Sequence, residues 1–145
     1  MKRLIVFVFL TGILFGSCCH FDDVVVPIIS NCDKEAIEDE TRFQQTSTNN
    51  YNITNVVLNG DCLEVTISSS GCNPNNWDMN MIASENVMKS FPVQRNAKIQ
   101  LINNEACLAV FQKTVSFNLT PLQTVGQNQI QLSVFGWNQH IVYQY

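Results

Sequence analysis

Apolar residues recur at every second position along most of the chain after Tyr51, the period of a strand with one buried face. The clearest case is Cys62 to Ser68, where Leu63, Val65 and Ile67 point one way and Cys62, Glu64, Thr66 and Ser68 the other. Tyr51 to Leu58 is the preceding strand, and Asn59-Gly60-Asp61 joins the two. Asn-Gly between β-prone runs predicts a hairpin with a type I′ turn, whose two central residues both need positive φ. Ser69 to Asn76, with Gly71, Pro74 and three asparagines, is a loop. Trp77, Met79 and Met81 alternate with Asp78, Asn80 and Ile82 as a third strand, and Ser84 to Pro92 connects it to a fourth at Ala97, Ile99 and Leu101. Asn103-Asn104-Glu105 turns the chain. Cys107 to Phe111 and Val115 to Leu119 make one long strand or two short ones, followed by a crossing loop at Thr120 to Asn128. Ile130, Leu132 and Val134 alternate with polar residues, and Gly136-Trp137-Asn138 turns into Ile141, Val142, Tyr143 and Tyr145. Short strands at this spacing, with no long helix, predict a mainly β chain: an immunoglobulin-like antiparallel β-sandwich of seven or eight strands, with a closed barrel as the alternative.

The first fifty residues read differently. Lys2-Arg3 precede an apolar run from Leu4 to Leu14, too short to span a bilayer core, which takes about 20 residues as a helix. Small residues follow at Gly16 and Ser17, so residues 1–17 have the three parts of a signal peptide. Val24 to Ile29, broken by Pro27, is an edge strand or an extended segment. Asn31 to Asn50 is polar and reads as a tether or long loop with one helical turn within Asp33 to Arg42. Its acidic run (Glu35, Glu38, Asp39, Glu40) lacks the spacing of a calcium loop and reads as a solvated face. The expected division is a signal peptide at 1–17, an anchored segment and tether at 18–50, and a β domain at 51–145.

Leu14-Phe15-Gly16-Ser17-Cys18 resembles the lipobox of bacterial lipoproteins, in which small residues precede a cysteine that takes a diacylglycerol before cleavage. The resemblance implies lipid attachment at Cys18, with Cys19 as the alternative acceptor and an ordinary cleaved signal as the rival reading. Acyl chains anchor by about 0.8 kcal/mol per buried methylene. The expected address is the bacterial cell envelope, lipid-anchored at the outer membrane. Asp22 and Asp23 follow the anchor, and acidic residues near that cysteine direct surface display in some such lipoproteins.

Charge narrows the partners. Losing Lys2 and Arg3 with the signal leaves 12 acidic against 6 basic residues, a net charge of −6. Such a surface repels phosphate backbones, so no nucleic acid partner is expected, and it offers no polybasic patch to anionic lipid. Asn and Gln supply polarity where charges are few.

Export permits disulfides. With Cys18 taken by lipid, Cys32, Cys62, Cys72 and Cys107 allow three pairings. Cys72–Cys107 is favoured because one cysteine enters a strand and the other begins another after the intervening hairpin. Cys32–Cys62 would then pin the tether to the domain, leaving Cys19 free. A metal site is disfavoured: no Cys-x-x-Cys falls in the domain and only His20 and His140 are present.

Gly60-Asp61-Cys62-Leu63-Glu64-Val65-Thr66-Ile67, running on through Ser70-Gly71-Cys72, resembles a block recurring in small uncharacterised lipoproteins of Bacteroidota-like bacteria. Phe91-Pro92-Val93-Gln94-Arg95, Asn104-Glu105-Ala106-Cys107-Leu108-Ala109, Ser116-Phe117-Asn118-Leu119-Thr120-Pro121-Leu122 and Ile141-Val142-Tyr143 extend it over most of the chain after Tyr51. A histidine often following the second cysteine in that group is replaced here by Asn73-Pro74-Asn75-Asn76-Trp77. The resemblance implies a fold and an address, and no activity.

The search for chemistry yields little. His140 is expected to face solvent on the last strand, no Gly-x-Ser-x-Gly elbow occurs, and Glu64 and Asp78, the strand-borne carboxylates, are expected to face water. The isolated glycines, Gly71 among them, read as turn residues. Trp77 and Trp137 sit at loop–strand junctions and are the candidate ligand contacts, where a ring could stack on a sugar; the core beside Met79 and Met81 is the favoured place for Trp77, and an exposed turn that for Trp137. No catalytic residue, metal or cofactor is expected. The expectation is a non-enzymatic envelope lipoprotein with an interaction or structural domain, or else a glycan-binding or protease-inhibitor-like module using loops at one sandwich end.

Overall fold

The computed structural model describes residues 31–145, and sheet begins at Lys34. Strands β1 (Lys34–Glu35) and β2 (Ile37–Glu38) are separated by one buried residue, Ala36, and belong to different sheets. Helix α1 (Glu40–Gln45) follows, capped by Asp39, whose carboxylate accepts the Arg42 N–H at 2.8 Å. The stretch expected as a tether is therefore docked on the domain, and its one helix starts inside the expected range and runs past Arg42 to Gln45. The signal peptide, the lipid site at Cys18, Cys19, His20 and the Val24–Ile29 run lie outside the described residues.

The remaining strands are β3 (Asn52–Asn59), β4 (Cys62–Ser70), β5 (Asp78–Ala83), β6 (Val93–Ile102), β7 (Val110–Asn118), β8 (Gln129–Val134) and β9 (Ile141–Gln144). Among the described residues that makes nine strands, in sheets ordered β1-β7-β4-β3 and β2-β5-β6-β8-β9. The two sheets face each other across one apolar core, so the domain is a two-layer, mainly β structure. It is not all-antiparallel: β1 runs parallel to β7, β2 to β5, and β6 to β8. One segment running along both sheet edges produces the first two parallel pairs. The third arises because β7 crosses to the other sheet between β6 and β8.

The alternation read from sequence is the alternation observed. Leu63, Val65 and Ile67 on β4 meet Met79 and Met81 on β5, with Ile99, Ile130 and Leu132 among their partners. All are nearly or wholly buried. β6 begins at Val93, four residues earlier than expected, and its inward series includes Arg95, 5% exposed and paired with Glu38 on β2. β7 is one strand starting at Val110, so Cys107 lies in the link before it. The β3–β4 turn is Gly60-Asp61, and only Gly60 has positive φ, +57°. That excludes the expected type I′ turn and matches the glycine-first requirement of type II′.

Ile82 points to the outer face of its sheet yet is fully buried. Phe43 of α1 is buried too, and its ring packs edge-on to Phe135 at 5.8 Å. The Lys98 ammonium lies 4.6 Å from the Phe43 centroid and donates to the Phe43 and Thr46 carbonyls. The segment 34–46 is held further by Lys34 to Asp78, by Arg42 to Gln100 at 2.8 Å and by the Ser84 hydroxyl to Glu40 at 2.5 Å.

Candidate functional site

A cleft of about 440 Å³ opens at the end of the sandwich where β3 begins and β4 ends. The approach to β3 contributes Asn49, Asn50, Tyr51 and Asn52, and β4 contributes Ser68, Ser69 and Ser70. The link between β6 and β7 closes the third side with Asn103, Glu105 and Val110. Its volume falls within the range of small-molecule sites, roughly 300–1,000 Å³.

The walls are pinned by local hydrogen bonds. Tyr51, whose hydroxyl donates to the Ile99 carbonyl at 2.7 Å, ties one sheet to the other. Burial pushes this phenol up to about 12. Ser69 donates to the Asn50 carbonyl at 2.6 Å, and the Asn50 amide donates to the Leu101 carbonyl at 3.1 Å. Asn103 donates to the Ser70 carbonyl and accepts the Glu105 N–H.

Glu105 is the hub of the third wall. Its Oε2 accepts the Cys72 N–H at 2.7 Å, the Asn73 N–H at 2.9 Å and the Trp77 indole N–H at 3.1 Å. Its Oε1 accepts the Asn76 amide at 2.9 Å. The donors, first the Asn73 N–H and then the Asn76 amide, hold the carboxyl well below its ordinary range, at about 2. The Cys72–Cys107 disulfide closes the same corner covalently. Gly71 lies beneath it: a β-carbon there would fall 2.7 Å from the Trp77 indole nitrogen and 2.8 Å from Glu105 Oε2. Gly71 is thus required by close approach rather than by turn geometry.

The residues singled out from the sequence are dispersed. Both expected disulfides are present, Cys32–Cys62 and Cys72–Cys107. Trp77 is core, 3% exposed. Trp137 is half-buried against the core, beside a separate depression of about 200 Å³ shared with Ile53, Gly136, Asn138 and Gln139. Neither the cleft nor this depression is lined by both tryptophans, or by Trp137 together with residues of the Ser69–Asn76 loop. Glu64 is exposed, and Asp78 is paired with Lys34, which lowers its carboxyl pKa. His140 is exposed, just before β9 rather than within it, with Nδ1 2.9 Å from the Ser133 hydroxyl. No carboxylate among the described residues hydrogen-bonds that histidine. Among the described residues no group of three or more His, Cys, Asp or Glu could hold a metal, and no helix is long and apolar enough to cross a membrane.

Sequence reasoning missed Glu105, Gly71 and the asparagines before β3. The signal for Glu105 was thin: a carboxylate two residues before a disulfide cysteine, inside what reads as a turn.

These features define a disulfide-braced, two-sheet β domain with a polar cleft at one end. No protein-family model matches the chain, and no curated protein does. Among solved structures the chain is similar to a DUF1344 protein of unknown function from Bacteroides vulgatus, at TM-score 0.51 and 14% identity. That similarity covers 77% of this chain and 55% of the other, so the chain spans little more than half of its structural relative. A Parabacteroides distasonis protein described as toxin related aligns at TM-score 0.46 and 13% identity, over 77% of this chain and 60% of that one.

Proposed function

We propose that this chain is an exported lipoprotein, acylated at Cys18 and held at the bacterial outer membrane, whose immunoglobulin-like sandwich is a non-catalytic binding domain. The observation that carries the reading is the pair of disulfides. Such bonds persist in oxidising compartments and are rare in the cytosol, which fits the signal peptide and lipobox read in the first 18 residues. Cys32–Cys62 also fits a tethered protein: it fastens the stretch entering the domain from Cys18 to β4, a central strand of its sheet. The immunoglobulin-like description rests on the two facing sheets and on a first strand divided between them at Ala36.

The test is processing in the native host or a Gram-negative surrogate. Globomycin should accumulate an unprocessed, diacylated precursor, and the mature mass should match an acylated N-terminal Cys18. A mature chain that begins at Met1, or one cleaved without lipid, refutes the anchor.

A further inference from the structure

We infer that the cleft between the start of β3 and the 103–110 link binds a neutral, polyhydroxylated ligand, of which a short uncharged oligosaccharide is the class. The inference rests on reading the domain as a binding module and names what it binds.

The lining disfavours ions and lipid. No Lys, Arg or His lines the cleft, so a phosphate, sulfate or carboxylate would find no counter-charge there. One carboxylate lines it, Glu105, and four donors already saturate it. It has little left to offer a cation, which would need several oxygen ligands. Val110, 71% exposed, is the one aliphatic side chain lining the cleft, too little to hold a lipid chain.

What remains is a set of amides and hydroxyls. An amide presents donors and an acceptor side by side, and a hydroxyl presents both on one atom. A sugar hydroxyl carries the same pair of roles, so such a wall matches it without cost in charge. Two of the amides are unspent: the side chains of Asn49 and Asn52 are exposed and make no hydrogen bond among the described residues. Behind them, Asn50, Ser69 and Asn103 are committed to backbone groups, and the Cys72–Cys107 bond locks the far wall. The donors facing the ligand therefore stand on a preorganised base, which reduces the ordering cost of binding. Val110 at the rim supplies an apolar contact of the size a pyranose face can use.

The test is titration of the mature full-length chain, in a detergent without a sugar headgroup. The probes are neutral gluco-, galacto-, manno- and xylo-oligosaccharides, with a sialylated and a sulfated oligosaccharide for comparison. Calorimetry and saturation-transfer NMR read the binding. At least one neutral probe is expected to bind saturably and more tightly than the charged ones. The double variant N49A/N52A, which removes two exposed side chains and no internal hydrogen bond, should weaken it about tenfold or more. Q94A/Q131A, on the outer face of the other sheet, should leave it unchanged. No binding of any neutral probe by folded protein, preference for the charged probes, or N49A/N52A binding as wild type overturns the proposal. Acylation at Cys18 is read from the same preparation by mass. An anchored chain that binds no saccharide therefore sinks this inference alone, and an unprocessed chain sinks the reading beneath it.

Discussion

The indole nitrogen of Trp77 donates to Glu105 Oε2 at 3.1 Å, so a buried ring at the head of β5 is oriented by a carboxylate from the link before β7. Three further donors from Cys72, Asn73 and Asn76 meet the same carboxylate. A residue from a turn thus organises a corner that joins a loop, a disulfide and the core.

That corner should show in acid. The folded pKa of Glu105, about 2, lies below its ordinary 4.5. Its stabilising contribution is fully present above about pH 4.5 and is lost as pH falls toward 2. Asp33, Glu40 and Asp78 are lowered as well, through Ser116, Ser84 and Lys34 respectively. Urea midpoints should therefore fall across this window. Glu105→Gln keeps the shape, and Asn76 can turn its amide to match. The expected result is lower stability at pH 7 and a flatter decline below pH 4.5. A variant whose acid limb parallels the wild type would show that Glu105 does not titrate as described.

Gly71 gives a steric test of the same corner. Gly71→Ala places a methyl group against the indole and the carboxylate, neither of which can retreat without breaking a bond. Overpacking of this kind costs about 1–3 kcal/mol. Chemical denaturation should detect that loss, and the near-ultraviolet dichroism of Trp77 should change. An unchanged midpoint would mean that the corner yields freely.

Alkali probes the opposite end. Tyr143 is fully buried on β9, donates to Asp61 in the β3–β4 turn at 2.6 Å and accepts from Gln123 at 2.8 Å. Burial, and then the Asp61 carboxylate, push its phenol up to about 12, as burial does for Tyr51. For both phenols the folded state holds the proton more tightly. Their stabilisation is complete below about pH 10 and is lost as pH rises through 12. Absorbance near 295 nm should show Tyr51 and Tyr143 ionising only as the β dichroism collapses. Ionisation of these two near pH 10 with the fold intact would contradict their placement.

The docked N-terminal segment should contribute measurably. Phe43→Ala removes a buried ring from the helix that packs on β5, and with it the ring contacts to Phe135 and Lys98. A buried Phe→Ala change costs about 3–5 kcal/mol. Replacing Cys32 and Cys62 together by serine opens a link between residues 30 apart and should cost about 2–5 kcal/mol. Thermal unfolding compares both variants with wild type. Wild-type stability in either would return the segment to the status of a tether.

The parts of the fold legible in sequence are those whose signal is local. β4, β5 and β8 show their inward residues at every second position because a pleated strand forces that period. The disulfide partners were favoured from sequence among three pairings, and the favoured set is the one observed, although Cys72 and Cys107 both lie in links rather than at strand starts. β1 and β2 were not, since two-residue strands have no period and exist only because two distant edges meet them. The burial of Ile82 was hidden for a related reason: α1 covers a face that alternation marks as outer. The cleft was less legible still, being assembled from three separated stretches of chain.

The sequence alone determined a mainly β chain and its inward-facing residues, because strand period acts over neighbouring positions; it favoured one of three cysteine pairings, and the structure decided for it. Tertiary structure alone decided the sheet partners, the docking of residues 34–46, the need for glycine at position 71 and the gathering of amides at one end. Those depend on which distant segments touch, and contact between remote segments leaves no trace in the order of residues along either one.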